Sequence, residues 1–171
     1  MSVQNITITR DTDIEKLLSS LKLQDKKIYI TGLNLDRKVF FIKKLLKHVH
    51  RIYHGLLISE QVNRYDDICD MHDTSGIRNI RDYVYTKSSS YNPQIIKKFI
   101  RSQDSERTHK SVLVLDIDDP KILKDEYITN AFFNNRSYNM TMIIVCYNMI
   151  HRSLQRSLLH SYVDITFSFE F

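Results

Sequence analysis

The stretch Ile28-Tyr29-Ile30-Thr31-Gly32-Leu33-Asn34-Leu35-Asp36-Arg37-Lys38-Val39 decides how this chain is read. An apolar, strand-like run leads into it and a helical run follows. That is the setting of a phosphate-binding loop, G-x-x-x-x-G-K-[S/T], in which backbone N–H groups and a lysine hold phosphates. Gly32 and Lys38 stand at the required spacing. Arg37 stands where the second glycine lets the backbone approach phosphate, and Val39 stands where a hydroxyl would bind Mg²⁺. The same residues also read as an ordinary turn into a helix. Asp36 would cap a helix beginning at Arg37, and its carboxylate would fill the positive helix end where a phosphate otherwise sits. Lys38 would then be a surface lysine.

Outward from this stretch, helical and strand-like segments alternate. Ile14, Leu17, Leu18 and Leu21 recur at helical spacing within residues 11–23, and Asp11 or Asp13 can cap that helix. Phe41, Leu45, Leu46 and Val49 mark one face of a helix from Arg37 to about Arg51, and Lys43, Lys44 and Lys47 line another. Gly55 is expected to end that unit, with a buried strand from Leu56. Residues 61–88 read as a variable loop with a short strand near Tyr83-Val84-Tyr85. A helix starts near Pro93, a favourable first-turn residue.

The run Ser111-Val112-Leu113-Val114-Leu115-Asp116 is the clearest strand, and its continuous apolar character suits burial on both faces. A helix over roughly 122–137, a strand from Met140 to Cys146, a short helix over about 150–161 and a strand from Val163 to Phe169 complete the pattern. Alternation of this kind implies a mainly parallel sheet with helices on both faces. The fold expected is therefore α/β, a three-layer sandwich of the P-loop NTPase type with about five strands. Residues 1–24 form a helical extension and 25–171 the domain.

Composition sets wider bounds. A chain of 171 residues, 42% hydrophobic and 26% charged, fits one globular domain. The net charge of +5 permits contact with nucleic acid, though the basic residues are spread along the chain. Cys69 and Cys146 cannot build a disulfide framework, and Cys69 with His72 lacks a second ligand pair for a metal. No apolar run approaches the roughly 18 residues of a membrane span, and the polar start does not read as a secretory signal. An intracellular, non-secreted protein is the expectation.

Ligands of open α/β sheets bind beyond the carboxyl ends of the strands. Three polar sites fall there: the turn 32–39, Asp116 with Asp118 and Asp119, and Tyr147-Asn148. In P-loop NTPases an acidic residue ending another strand helps hold Mg²⁺, so Asp116 is the candidate metal residue. Equally, residues 116–119 read as a solvated turn capping the next helix.

The order of these segments resembles the poxvirus-type DNA-packaging ATPases of large DNA viruses, within the FtsK–HerA group. Val112 to Asp116 resembles the family's acidic strand, and Ala131-Phe132-Phe133-Asn134-Asn135-Arg136-Ser137-Tyr138 its following helix end. Met142 to Cys146 resembles the next strand, and Leu159 to Phe167 the family's closing segment. Tyr91-Asn92-Pro93-Gln94-Ile95-Ile96 resembles a segment ahead of the acidic strand. The similarity covers roughly residues 25–171.

The resemblance implies a site in which Gly32, Asp36, Arg37, Lys38 and Val39 border ATP and Asp116 borders Mg²⁺. It also implies damage. Ile117 replaces the acid that activates water, with Asp118 as the substitute if the strand end shifts. Tyr147 replaces a glutamine, with Asn148 beside it, and His160 replaces an arginine, with Arg152 and Arg156 nearby. The expectation is a viral homologue, in host cytoplasm or virion, that is catalytically weak or inactive. It would join a packaging ATPase ring or a homo-oligomer. Two other readings stay open: an active ATPase using Lys38, Asp116 and Asp118, and a DNA-binding module using Lys43, Lys44 and Lys47.

Overall fold

Continuous apolar segments at the centre of this chain have no solvent-facing side, so the fold has to cover both faces of its sheet. A computed structural model describes residues 3–32, 35–49, 52–65, 84–105, 110–116, 122–145 and 162–170. In it β1 (Gln4–Ile8), β2 (Lys27–Thr31), β3 (Ile52–Ser59), β4 (Val84–Ser88), β5 (Lys110–Asp116), β6 (Met140–Val145) and β7 (Ile165–Phe169) form one sheet. The order is β1-β7-β2-β6-β5-β3-β4, and every neighbouring pair is parallel.

Alternation along the strands sorts side chains to the two faces. Ile28, Ile30, Val112, Val114, Ile143 and Val145 join one cluster, completed by Leu18 of α1 (Ile14–Ser19) and by Phe41, Ile42, Leu45 and Leu46 of α2 (Leu35–His48). Tyr29, Leu113, Leu115, Met142 and Ile144 join the other. That cluster is closed by Ile96, Phe99 and Ile100 of α3 (Pro93–Ser105) and by Ile128, Ala131 and Phe132 of α4 (Glu126–Asn134). The result is the expected three-layer α/β sandwich. Each fully buried aliphatic side chain contributes about 1.5–3 kcal/mol, which is why helices must cover both faces.

The sheet has seven strands among the described residues, against about five expected. β1 lies in the segment read as a helical extension. It is an edge strand, mostly exposed apart from Ile8, so its sequence lacks the apolar run of a central strand. β3 begins at Ile52, so Gly55 lies inside a strand instead of ending the preceding unit. Pairing to β4 on one side and β5 on the other outweighs the weak strand preference of glycine. The expected helix over 122–137 is a 3₁₀ turn, Ile122–Lys124, followed by α4. Asp125 divides them by capping α4, accepting from the backbone N–H groups of Tyr127 and Ile128. The expected helix over 150–161 lies outside the described residues.

Gly32, which follows Thr31 at the end of β2, is fixed by packing. Gly32 has φ +127°, and a Cβ there would lie 2.7 Å from Phe169 Cβ and 2.9 Å from the Phe169 carbonyl oxygen. Phe41 of α2 in turn packs edge-on against Phe167 and Phe169, with centroids 4.8 and 5.2 Å away. β7 thus pins both Gly32 and the helix that follows. Gly32→Ala is expected to lower unfolding free energy by about 2–4 kcal/mol, through positive φ and overpacking together. An unchanged urea midpoint would show that this close approach is not required.

Candidate functional site

The carboxyl ends of β2, β3 and β5 carry the polar residues singled out above. Ser59 ends β3 and stands directly beside Asp116, the last residue of β5. Both are buried, at 1% and 2% exposure. Ser59 Oγ donates to Asp116 Oδ2 at 2.8 Å, and Tyr65 Oη donates to the same oxygen at 2.6 Å. Tyr65 reaches this point from a 3₁₀ turn, Val62–Tyr65, just beyond β3, and is wholly buried. Ser59 Oγ also accepts from the backbone N–H of Gln61 at 3.1 Å, which fixes the start of that turn over the strand end.

Asp116 is therefore a buried group satisfied from within the chain, and the reading of it as part of a solvated turn does not hold. A buried carboxylate without donors would cost several kcal/mol, so the two hydroxyls are part of what lets the sheet end here. Ser59 and Tyr65 are neighbours of this candidate site that the sequence pattern alone does not reveal. The register of β3 against β5 supplies Ser59, and only the path of the 3₁₀ turn supplies Tyr65.

Around the turn 32–39 the structure departs from the capped-helix reading. α2 begins at Leu35, which puts Asp36 inside its first turn rather than ahead of it. The Asp36 side chain is 81% exposed and pairs with Arg64, so it points away from the helix end. Arg37 is exposed as well. Lys38 is wholly buried, which corrects the reading of it as a surface lysine, and Val39 is buried in the core. Helical geometry explains the division, since residues 36, 37 and 40 share the outer side while 38, 39, 41 and 42 turn inward. Leu33 and Asn34 lie outside the described residues. So do Ile117, Asp118, Asp119, Cys146, Tyr147, Asn148, Arg152, Arg156 and His160, and with them Cys69 and His72.

At Asp116 one oxygen, Oδ2, accepts from two internal hydroxyls, and Val39 offers no ligand atom. Among the described residues no group of three or more His, Cys, Asp or Glu side chains could hold a metal ion.

The basic face of α2 is partly neutralised. Lys44 pairs with Glu15 of α1, and His48 Nε2 lies 3.4 Å from the same carboxylate. The Lys44 hydrogen bond holds the Glu15 carboxyl below its ordinary value. Lys43 is half-buried and Lys47 exposed, with Phe40 52% exposed between them and Arg37.

The fold and this strand-end cluster define an all-parallel α/β protein with a buried acidic strand end. Beyond that class, no protein-family model matches the chain, and no curated protein and no solved structure shows significant similarity to it. Among the described residues no helix is long and apolar enough to cross a membrane.

If the cluster is a stabilising unit, Tyr65→Phe is expected to cost about 1.5–3 kcal/mol, the range for a hydrogen bond to a charged group. Asp116→Ala, which removes the acceptor of both hydroxyls, is expected to cost more. Chemical denaturation of both variants checks this. A stabilised Asp116→Ala would identify the carboxylate as a strained functional group instead.

Proposed function

We propose that the chain is a P-loop-type protein whose nucleotide site has decayed, a divergent homologue of the DNA-packaging ATPases of large DNA viruses. It acts through contacts with other macromolecules rather than by turning over ATP. One observation carries this reading: the carboxylate that would face Mg²⁺ is occupied by the chain's own Ser59 and Tyr65 hydroxyls. Phosphoryl transfer depends on a metal and an oriented water at that place. The two hydroxyls take up Asp116 Oδ2, and Val39 has no hydroxyl to serve as the second metal ligand.

The strand order supports the relation to P-loop proteins. β6 lies between β2, which feeds the turn at Gly32, and β5, which ends in Asp116. The turn and the acidic strand end therefore open onto the same edge, separated by one strand. The homology, the viral setting and a place in host cytoplasm or virion rest on the resemblance. A packaging ATPase ring or a second copy is the partner that resemblance implies. DNA contact through α2 is the weaker component, because Glu15 offsets part of the charge on that helix.

A second reading, nucleotide binding with an unconventional site, is favoured by the outward course of Asp36 and Arg37. The Asp36 side chain pairs with Arg64, and Arg37 is exposed.

Calorimetric titration with Mg²⁺–ATP, run beside a phosphate-release assay, tests both. The expected outcome is no turnover above that of a Lys38→Ala control. Turnover abolished by Lys38→Ala would overturn the decayed-site reading, whereas ATP binding without turnover would retain it and assign a structural nucleotide. Contact with DNA through α2 should weaken steeply with salt, as phosphate contacts release counterions.

A further inference from the structure

The parallel order brings three chain segments together at the amino edge of the sheet, opposite Asp116. β7, β2 and β6 are neighbours. Tyr162 lies just ahead of β7, Lys27 opens β2, and Phe133 and Arg136 precede β6. Phe133 and Tyr162 meet edge to face, centroids 5.2 Å apart, yet stay 45% and 48% exposed. Phe132 lies buried beside them and contacts the Phe133 ring edge-on. Lys27 Nζ stands 5.0 Å from the Phe132 ring centre and 6.0 Å from that of Tyr162. Burial lowers the pKa of this amine, and Asp164 opposes the shift.

Asp164 holds the frame in place. Its Oδ2 accepts from the Lys27 backbone N–H at 2.8 Å, and its Oδ1 accepts from Arg136 Nη2 at 3.0 Å, with Lys26 Nζ 3.9 Å away. The carboxylate is only 9% exposed, whereas Arg136 is 48% and Lys26 29% exposed. Solvent therefore meets an aromatic pair flanked by cations, with the Asp164 carboxylate beneath and Asp25 next to Lys26 in the chain.

We propose that this edge is a docking surface for an acidic segment of a partner protein, one that sets an apolar side chain against Phe133 and Tyr162 and carboxylates against Lys26, Lys27 and Arg136. Aromatic and arginine side chains at the centre of a polar rim are the composition of binding hot spots. The frame tied by Asp164 is ordered before binding, so little side-chain freedom is lost. Charge complementarity selects the occupant. A second copy would bring the same cations face to face in a chain of net charge +5. Single-stranded nucleic acid needs open ring faces along a row of cations, but Lys27 already stands over Tyr162 and Asp164 offsets part of the charge. The proposal does not rest on the state of the nucleotide site, which lies at the other edge.

The test is selection of random displayed peptides on the immobilised full chain, followed by fluorescence anisotropy with the selected peptides. Enriched peptides are expected to combine acidic with aromatic or aliphatic residues. Phe133→Ser and Tyr162→Ser, each with an unchanged circular-dichroism melt, are expected to weaken them by about tenfold or more. Either variant suffices should the other fail to fold. No enrichment, or equal binding to the folded variants, would overturn the proposal. So would self-association abolished by Phe133→Ser, which identifies a second copy, or oligo(dT) binding lost in the same variants, which identifies nucleic acid.

Discussion

A carboxylate cut off from water has to be satisfied by its own chain, and at Asp116 this requirement organises the carboxyl edge of the sheet. Ser59 meets it from the neighbouring strand, and Tyr65 meets it from the turn beyond. To bring the phenol in, the chain after β3 folds directly back over the strand ends. That same turn carries Arg64, whose pairing with Asp36 touches the first turn of α2. The exposed ion pair contributes little by itself. The buried hydroxyl–carboxylate cluster is what positions it.

Much of the fold was legible in the sequence because the central strands answer to a single demand. β2, β5 and β6 are buried on both faces, so their continuous apolar runs carry the signal without reference to neighbours. Pro93 marked the start of α3 through backbone geometry alone. The illegible parts depend on neighbours. β1 exists because β7 offers it a pairing edge, and its mostly polar face gives no apolar run to read. Gly55 looks like a terminator until β4 and β5 are placed on either side of it.

The candidate site divides in the same way. Gly32, Lys38 and Asp116 could be singled out by spacing and by their places at strand and helix ends. Whether they meet ligand or protein could not, because that depends on long-range contacts. The glycine is required by Phe169, more than a hundred residues away in sequence, and this alone would keep it without any phosphate. Asp36 looked like a cap from its local sequence, but the helix begins before it and Arg64 draws it outward. A glycine and an acidic strand end are thus weak witnesses to catalysis when each has a separate structural reason to persist.

That point bears on why an acidic strand end persists without reference to any ligand. Once Ser59 and Tyr65 close on Asp116, replacing the carboxylate removes the acceptor to which both hydroxyls donate, at about 1.5–3 kcal/mol for each hydrogen bond to a charged group. For a domain whose whole stability is roughly 5–15 kcal/mol, such a loss is large. The cluster is then maintained by folding alone. Positions that hold nothing in place have no such protection. Val39 improves the core by being apolar, whereas a hydroxyl there would need a partner of its own. An acidic residue at the end of β5 and an apolar one at position 39 thus each have a packing reason to be there.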